Sequence, residues 1–206
     1  MARKSYAMIG LLVLLGAAVA AAVATGAVLW LERPATGALE LGGPFALTDA
    51  NDGKPVTEQS FRGKLMLIYF GYTFCPDACP TTLNNISDAM AKLGPAANRI
   101  APLFISVDPA RDTQKIMASY VKAFDPRIQG LVGDAAAIAQ IAKEFAVYYK
   151  IHQEPGGDYL IDHSSLIYLM DEQGRFLKVI PATTPGDRLA AQLKQILNQE
   201  HGQGHG

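Results

Sequence analysis

Two cysteines stand four apart, Cys75 and Cys79 in "YFGYTFCPDACPTTL", and they are the only cysteines in the 206-residue chain. Such a pair can close a disulfide, trade disulfides with another protein, or hold a soft metal as thiolates. As a staple it is weak: closing a loop of roughly five residues contributes about 2 kcal/mol, against about 5 for a hundred-residue loop. A chain of this length also has core enough without a staple. On a helix, residues i and i+4 share a face with Cβ atoms roughly 5–6 Å apart. A helix N-terminus at that point favours thiolate through its unpaired N–H groups and its dipole. Exchange dithiols are most often C-x-x-C. The longer insert here, Pro76-Asp77-Ala78, relaxes the pair and leans toward a metal without excluding exchange.

A metal needs a further donor, and the four histidines are the candidates. His201 and His205 fall in "NQEHGQGHG", whose composition predicts a disordered tail over 198–206. His152 precedes "QEPGGDY" and reads as a solvent-exposed side chain on a loop running to Asp162, with Gly156-Gly157 favouring mobility. His163 stands just before the apolar run "SLIYLM". In a thioredoxin-type sheet, the loop entering that strand faces the cysteine helix. An ordinary loop histidine fits the residue equally well, so the sequence leaves ligand and plain hydrogen-bonding side chain in balance.

The flanking elements must position these groups. "PFALTDANDGKPVT" predicts a hairpin turning at Asn51-Asp52-Gly53. "KLMLIYFGY", a continuous apolar run ending just before Cys75, predicts a strand buried on both faces. Leu83, Ile86, Met90 and Leu93 recur at helical spacing until Gly94-Pro95. A second buried strand follows at Ile100 to Val107, then a helix capped by Asp112 or Thr113, a short strand in "IQGLVG", and a helix after Asp134 over "AAAIAQIAKEFAVYY". A hairpin, Ser165 to Met170 and Arg175 to Ile180, and a helix from "GDRLAAQLKQILNQ" close the chain. Strands alternating with helices before a final hairpin predict an α/β, thioredoxin-like, three-layer fold with a mixed sheet.

Ahead of this domain, Ala7 to Leu31 carries no charge and follows Arg3 and Lys4. A helix there would be roughly 36 Å long, enough to cross a ~30 Å hydrocarbon core. The small residues of "AVAAAVA" also fit a cleaved signal peptide, but the run is longer than the apolar region such peptides carry, which favours a retained anchor. The expected organisation is an N-terminal transmembrane helix as membrane anchor at 1–31, a linker at 32–43, the thioredoxin-like domain at 44–197 and the tail. Basic residues before the span place the N-terminus inside and the domain outside. Without an Arg- and Ser-rich amphipathic leader, a single-pass protein of a bacterial inner membrane with its domain in the periplasm fits best. The formal net charge of −1 gives no electrostatic case for nucleic acid.

Together, "YFGYTFCPDACPTTL", "SVDPARDT" and "DHSSLIYLMD" resemble the SCO/SenC family of copper chaperones, over roughly Pro44 to Leu197 plus the anchor. The resemblance implies copper bound by Cys75, Cys79 and His163, with delivery to the dinuclear copper centre of cytochrome c oxidase during assembly. It implies the oxidase's copper-bearing subunit as partner, with an upstream copper donor and a thioredoxin-like reductant as further ones. Asp77 and Pro80 match motif positions of conformational role; Asp108, Pro109, Arg111 and Asp112 match a structural turn near the site. Where some members carry a histidine before the first cysteine, this chain has Phe74. Two thiolates and an imidazole suit Cu(I), and with other groups approaching, Cu(II); zinc competes for the same donors. That reading is a delivery protein, not an enzyme. The alternative is a thiol–disulfide oxidoreductase that uses Cys75 and Cys79 as a redox-active pair to reduce the receiver's cysteines. A peroxidase-type enzyme has no support, since no separate resolving cysteine exists.

Overall fold

A computed structural model describes residues 41–203 of the chain. The anchor expected at 1–31, the linker as far as residue 40 and residues 204–206 lie outside them. Among the described residues no helix is long and apolar enough to cross a membrane.

Strands β1 (Ala46–Asp49) and β2 (Pro55–Thr57) form the expected first hairpin. The apolar run becomes β3 (Leu65–Gly71), buried at every position. Its period of two sends Leu65, Leu67 and Tyr69 into one core and Met66, Ile68 and Phe70 into the other. Strand β4 (Ile100–Ser106) pairs parallel with β3 and with β5 (Gln129–Val132). Strands β8 (Leu166–Met170) and β9 (Phe176–Pro181) add antiparallel. The result is a mixed seven-stranded sheet in the order β2-β1-β5-β4-β3-β8-β9.

Helices α1 (Ala78–Leu93), α2 (Gln114–Val121) and α4 (Gly186–Gln203) cover one face. Leu83, Ile86 and Met90 of α1 and Leu189, Leu193 and Leu197 of α4 are buried there, each contributing on the order of 1.5–3 kcal/mol. Helix α3 (Ala135–Glu144) covers the other face. Thr113 Oγ1 caps α2 by accepting from Ile116 N (3.3 Å), and Asp134 Oδ1 caps α3 by accepting from Ala137 N (2.8 Å). Gly94 ends α1 with φ 56°, which the missing Cβ permits.

Four expectations are corrected. Helix α1 starts at Ala78, so Cys75 precedes it and the cysteines do not share a helical face. Pro76 accounts for this, because the residue before a proline is driven from the helical region. The helix expected through Tyr149 stops at Glu144, and Ala146 takes φ 49°. The loop read from His152 to Asp162 is instead a hairpin of β6 (Tyr149–Gln153) and β7 (Tyr159–His163). Gly156 and Gly157, at φ 107° and 90°, build its turn. Helix α4 continues to Gln203, into the stretch read as a tail.

Candidate metal centre

Cys79 lies in the first turn of α1 and is fully buried. Cys75, in the turn between β3 and α1, is half-buried, and its Sγ accepts the backbone N–H of Cys79 at 3.4 Å. The sulfur thus takes the place of an N-cap oxygen, satisfying one of the helix's unpaired donors. The Cys79 thiol's hydrogen bond to Cys75, helped by a hydrogen bond from His163 and by the backbone N–H groups of Cys79 and Asp77, brings the Cys75 pKa down to about 3. The Cys79 thiol moves the opposite way, raised by that same hydrogen bond and by burial. The pair is therefore one thiolate and one thiol near neutral pH. Alkylation of the reduced, metal-free protein is expected at Cys75 first. Its rate should stay nearly level from pH 7 to pH 5, where an ordinary thiol slows roughly a hundredfold. Peptide mapping of the labelled cysteine checks this.

His163 arrives from the far end of β7, with its Nε2 3.5 Å from Cys79 Sγ. Its Nδ1 lies 3.3 Å from the Ser164 carbonyl. In the tautomer that donates Nδ1–H to that carbonyl, Nε2 is left free to serve as a metal donor beside the sulfur. The rings of Tyr69 and Tyr72 meet the imidazole nearly edge-on, at centroid distances of 6.0 and 5.9 Å. Tyr69 also donates its O–H to Cys79 Sγ at 3.7 Å. The two sulfurs and a His163 nitrogen lie within 4.8 Å of one another. Two bonds of about 2.3 Å to one ion span at most about 4.6 Å, so small adjustments close these donors on a single cation. Two thiolates and an imidazole are soft to borderline donors, suited to Cu(I) or zinc.

Convergence depends on "SVDPARDT". Asp112 ends beneath the cysteine loop, accepting from Thr73 Oγ1 and Ser106 Oγ at 2.6 Å each and from Thr73 N at 3.1 Å. Arg111 donates to buried Asp108 at 2.6 Å, to the Tyr159 carbonyl at 2.9 Å and to Asp158 at 2.8 Å. Its guanidinium lies 3.5 Å from the Tyr159 ring centroid and 4.7 Å from that of Phe74. Tyr159 O–H returns to Asp108 at 2.7 Å, and Tyr72 O–H accepts from Ile161 N at 3.2 Å. The motif read as a structural turn therefore ties the His163 hairpin to the cysteine loop. Asp77 begins α1 without a side-chain cap, its carbonyl accepting from Thr81 N at 3.2 Å.

Of the remaining histidines, His152 lies on β6 with its Nε2 2.8 Å from Asp162, away from the thiol pair. His205 lies outside the described residues. Sequence reading missed Gly71. A Cβ there would meet Cys79 Sγ at 2.6 Å and Phe104 at 2.7 Å; glycine inside an otherwise apolar strand was the available signal of a close approach. Gly71→Ala is expected to cost about 1–3 kcal/mol by overpacking and to displace Cys79, which urea denaturation and thiol reactivity would register.

A family model described as SCO1/SenC matches residues 33–198. "Protein SCO2, mitochondrial" of Saccharomyces cerevisiae is 42% identical over 149 residues, 71% of this chain and 49% of that protein. The chain spans about half the length of that relative. "Structure of Bradyrhizobium japonicum ScoI with copper bound" superposes with a TM-score of 0.71 at 48% identity, covering 75% of this chain and 98% of that one. The chain of "Identification of a disulfide switch in BsSco, a member of the Sco family of cytochrome c oxidase assembly proteins" gives 0.61 at 27% identity, over 77% and 95%.

Proposed function

The chain belongs to the SCO1/SenC family, and from that premise we propose that it is a copper-binding protein that delivers copper to cytochrome c oxidase during assembly. The observation carrying this reading is the meeting of Cys75, Cys79 and His163, from two distant segments, within 4.8 Å. Copper binds as Cu(I) to the two sulfurs and the imidazole, and Cu(II) can use the same donors as further groups approach. Three donors leave a coordination position through which a receiver's ligands can enter. The receiver is the oxidase's copper-bearing subunit, supplied in turn by an upstream donor. The domain works in the periplasm, held to the bacterial inner membrane by residues 1–31.

The test is copper loading. The reduced full chain should take up one Cu(I), with an absorption edge and fine structure of two sulfurs and one nitrogen. Uptake independent of the cysteines, or four tight protein donors in the loaded form, would overturn the reading.

A second reading has its own support. The thiolate–thiol split between Cys75 and Cys79 is the resting state of an exchange dithiol. As a thiol–disulfide oxidoreductase, served by a thioredoxin-like reductant, the pair would reduce the receiver's cysteines before copper enters.

A further inference from the structure

Beside the cysteine loop lies an open apolar groove of about 780 Å³, walled by Phe74 on one side and by Ile116, Tyr120 and Phe124 of the α2 segment on the other. Phe74 is 48% and Ile116 38% exposed, although both are large and apolar. Lys115 is the only charged residue on the lining, and Lys122 stands exposed at the C-terminal end of α2. Neither lysine is in an ion pair among the described residues. The neighbouring carboxylates are already engaged: Asp112 is buried under Thr73 and Ser106, and Asp125 pairs with Arg127 at 2.6 Å. The charge on the lining is therefore that of Lys115, and Lys122 follows Ser119 of the lining by three residues at the end of α2. The Tyr120 hydroxyl, buried beneath the groove, has no hydrogen-bond partner.

We propose that this groove docks the copper receiver, through a segment that carries an apolar or aromatic anchor flanked by carboxylates and followed by its own thiols. The inference rests on the chaperone reading above. Its grounds are position and charge. Phe74 directly precedes Cys75, the more exposed sulfur. At roughly 3.3–3.6 Å per extended residue, a chain anchored against Phe74 brings its next two or three residues to Cys75. Lys115 and Lys122 favour acidic flanks and would steer their approach. Burying Phe74 and Ile116 under the anchor removes apolar surface from water at the centre of the contact.

The experiment uses the full chain in detergent micelles, reduced and metal-free. The probe is a fluorescent peptide with a phenylalanine between two glutamates, followed by two cysteines. Ile116→Glu and the pair Lys115→Glu/Lys122→Glu are each expected to weaken binding about tenfold or more. A peptide with lysines in place of the glutamates should recover affinity for the doubly charge-reversed protein alone. Circular dichroism and Cu(I) competition against a chelator should be unchanged in the variants, since none of these residues belongs to the metal site. Peptide affinity within twofold of the unaltered chain in both variants would overturn the proposal. So would a dimer that Ile116→Glu dissociates, because a second copy would then be the occupant. Absence of copper binding by the unaltered chain instead overturns the chaperone reading, while the metal-free peptide measurement still decides whether the groove docks such a segment.

Discussion

His163→Ala is expected to lower Cu(I) affinity by roughly a hundredfold or more and to abolish oxidase maturation, while leaving dithiol chemistry largely in place. Removing a hydrogen-bonding partner of a metal ligand typically costs 10–100-fold in affinity, so loss of the donor itself should cost at least the upper end. Among the described residues no other histidine joins Cys75 and Cys79, and His163 Nε2 lies 3.5 Å from Cys79 Sγ. The cysteines keep the larger part of their split without it. The largest influence lowering the Cys75 pKa is the Cys79 thiol; the His163 hydrogen bond, the next to lower it, is lost in the alanine variant, while the backbone N–H groups of Cys79 and Asp77 remain. The substitution thus separates the two functional readings. A chelator competition assay reads the affinity, and an insulin reduction assay reads exchange. If maturation survives with copper occupancy lost, the oxidoreductase reading prevails. Unchanged copper affinity would remove His163 from the site.

The second large effect is at Arg111, which touches no proposed donor. Its side chain is 16% exposed and pairs at 2.6 Å with Asp108, which is 2% exposed. Truncating one member of a buried pair strands the other, at a cost of about 3–5 kcal/mol. At about 2–4 °C per kcal/mol for a domain of this size, Arg111→Ala should lower the melting temperature by roughly 10 °C. The loss should not be uniform. Among the described residues, strands β6 and β7 pair only with each other, and Arg111 is a main tie between that hairpin and the cysteine loop. Hydrogen exchange should accelerate first there, and copper affinity should fall toward that of His163→Ala. Arg111→Lys keeps the charge but loses the planar fork and the stack on Tyr159, so it should not rescue. The double variant Arg111→Ala/His163→Ala should bind copper about as weakly as His163→Ala alone, because both changes act through one imidazole. Fully additive losses would show that Arg111 acts elsewhere.

The sheet was legible where burial leaves a mark on composition. A strand covered on both faces must be apolar throughout, and "LMLIYFG" is. The cysteine segment and His163 were legible as motif residues. The β6–β7 hairpin was not. Its inward side chains Tyr159, Ile161 and His163 do alternate, but Lys150, Gln153 and the Gly156-Gly157 turn lend the stretch the polarity of a loop. The start of α1 was misplaced because i, i+4 spacing suggests a shared helix, whereas Pro76 decides against one. Arg111 was visible as a motif position, but its role was not. Stacking on Tyr159, 48 residues away along the chain, exists only after the hairpin has folded back across the domain.

The two sulfurs differ in how firmly the scaffold grips them. Cys79 is embedded in a helix and wedged against Gly71, while Cys75 lies half-buried in the proline-bearing turn before that helix. Under the delivery reading, unloading would then be sequential and vectorial: the outer tether yields first, the inner one last, so cargo departs toward the more exposed sulfur and is not shed at random into the surrounding fluid.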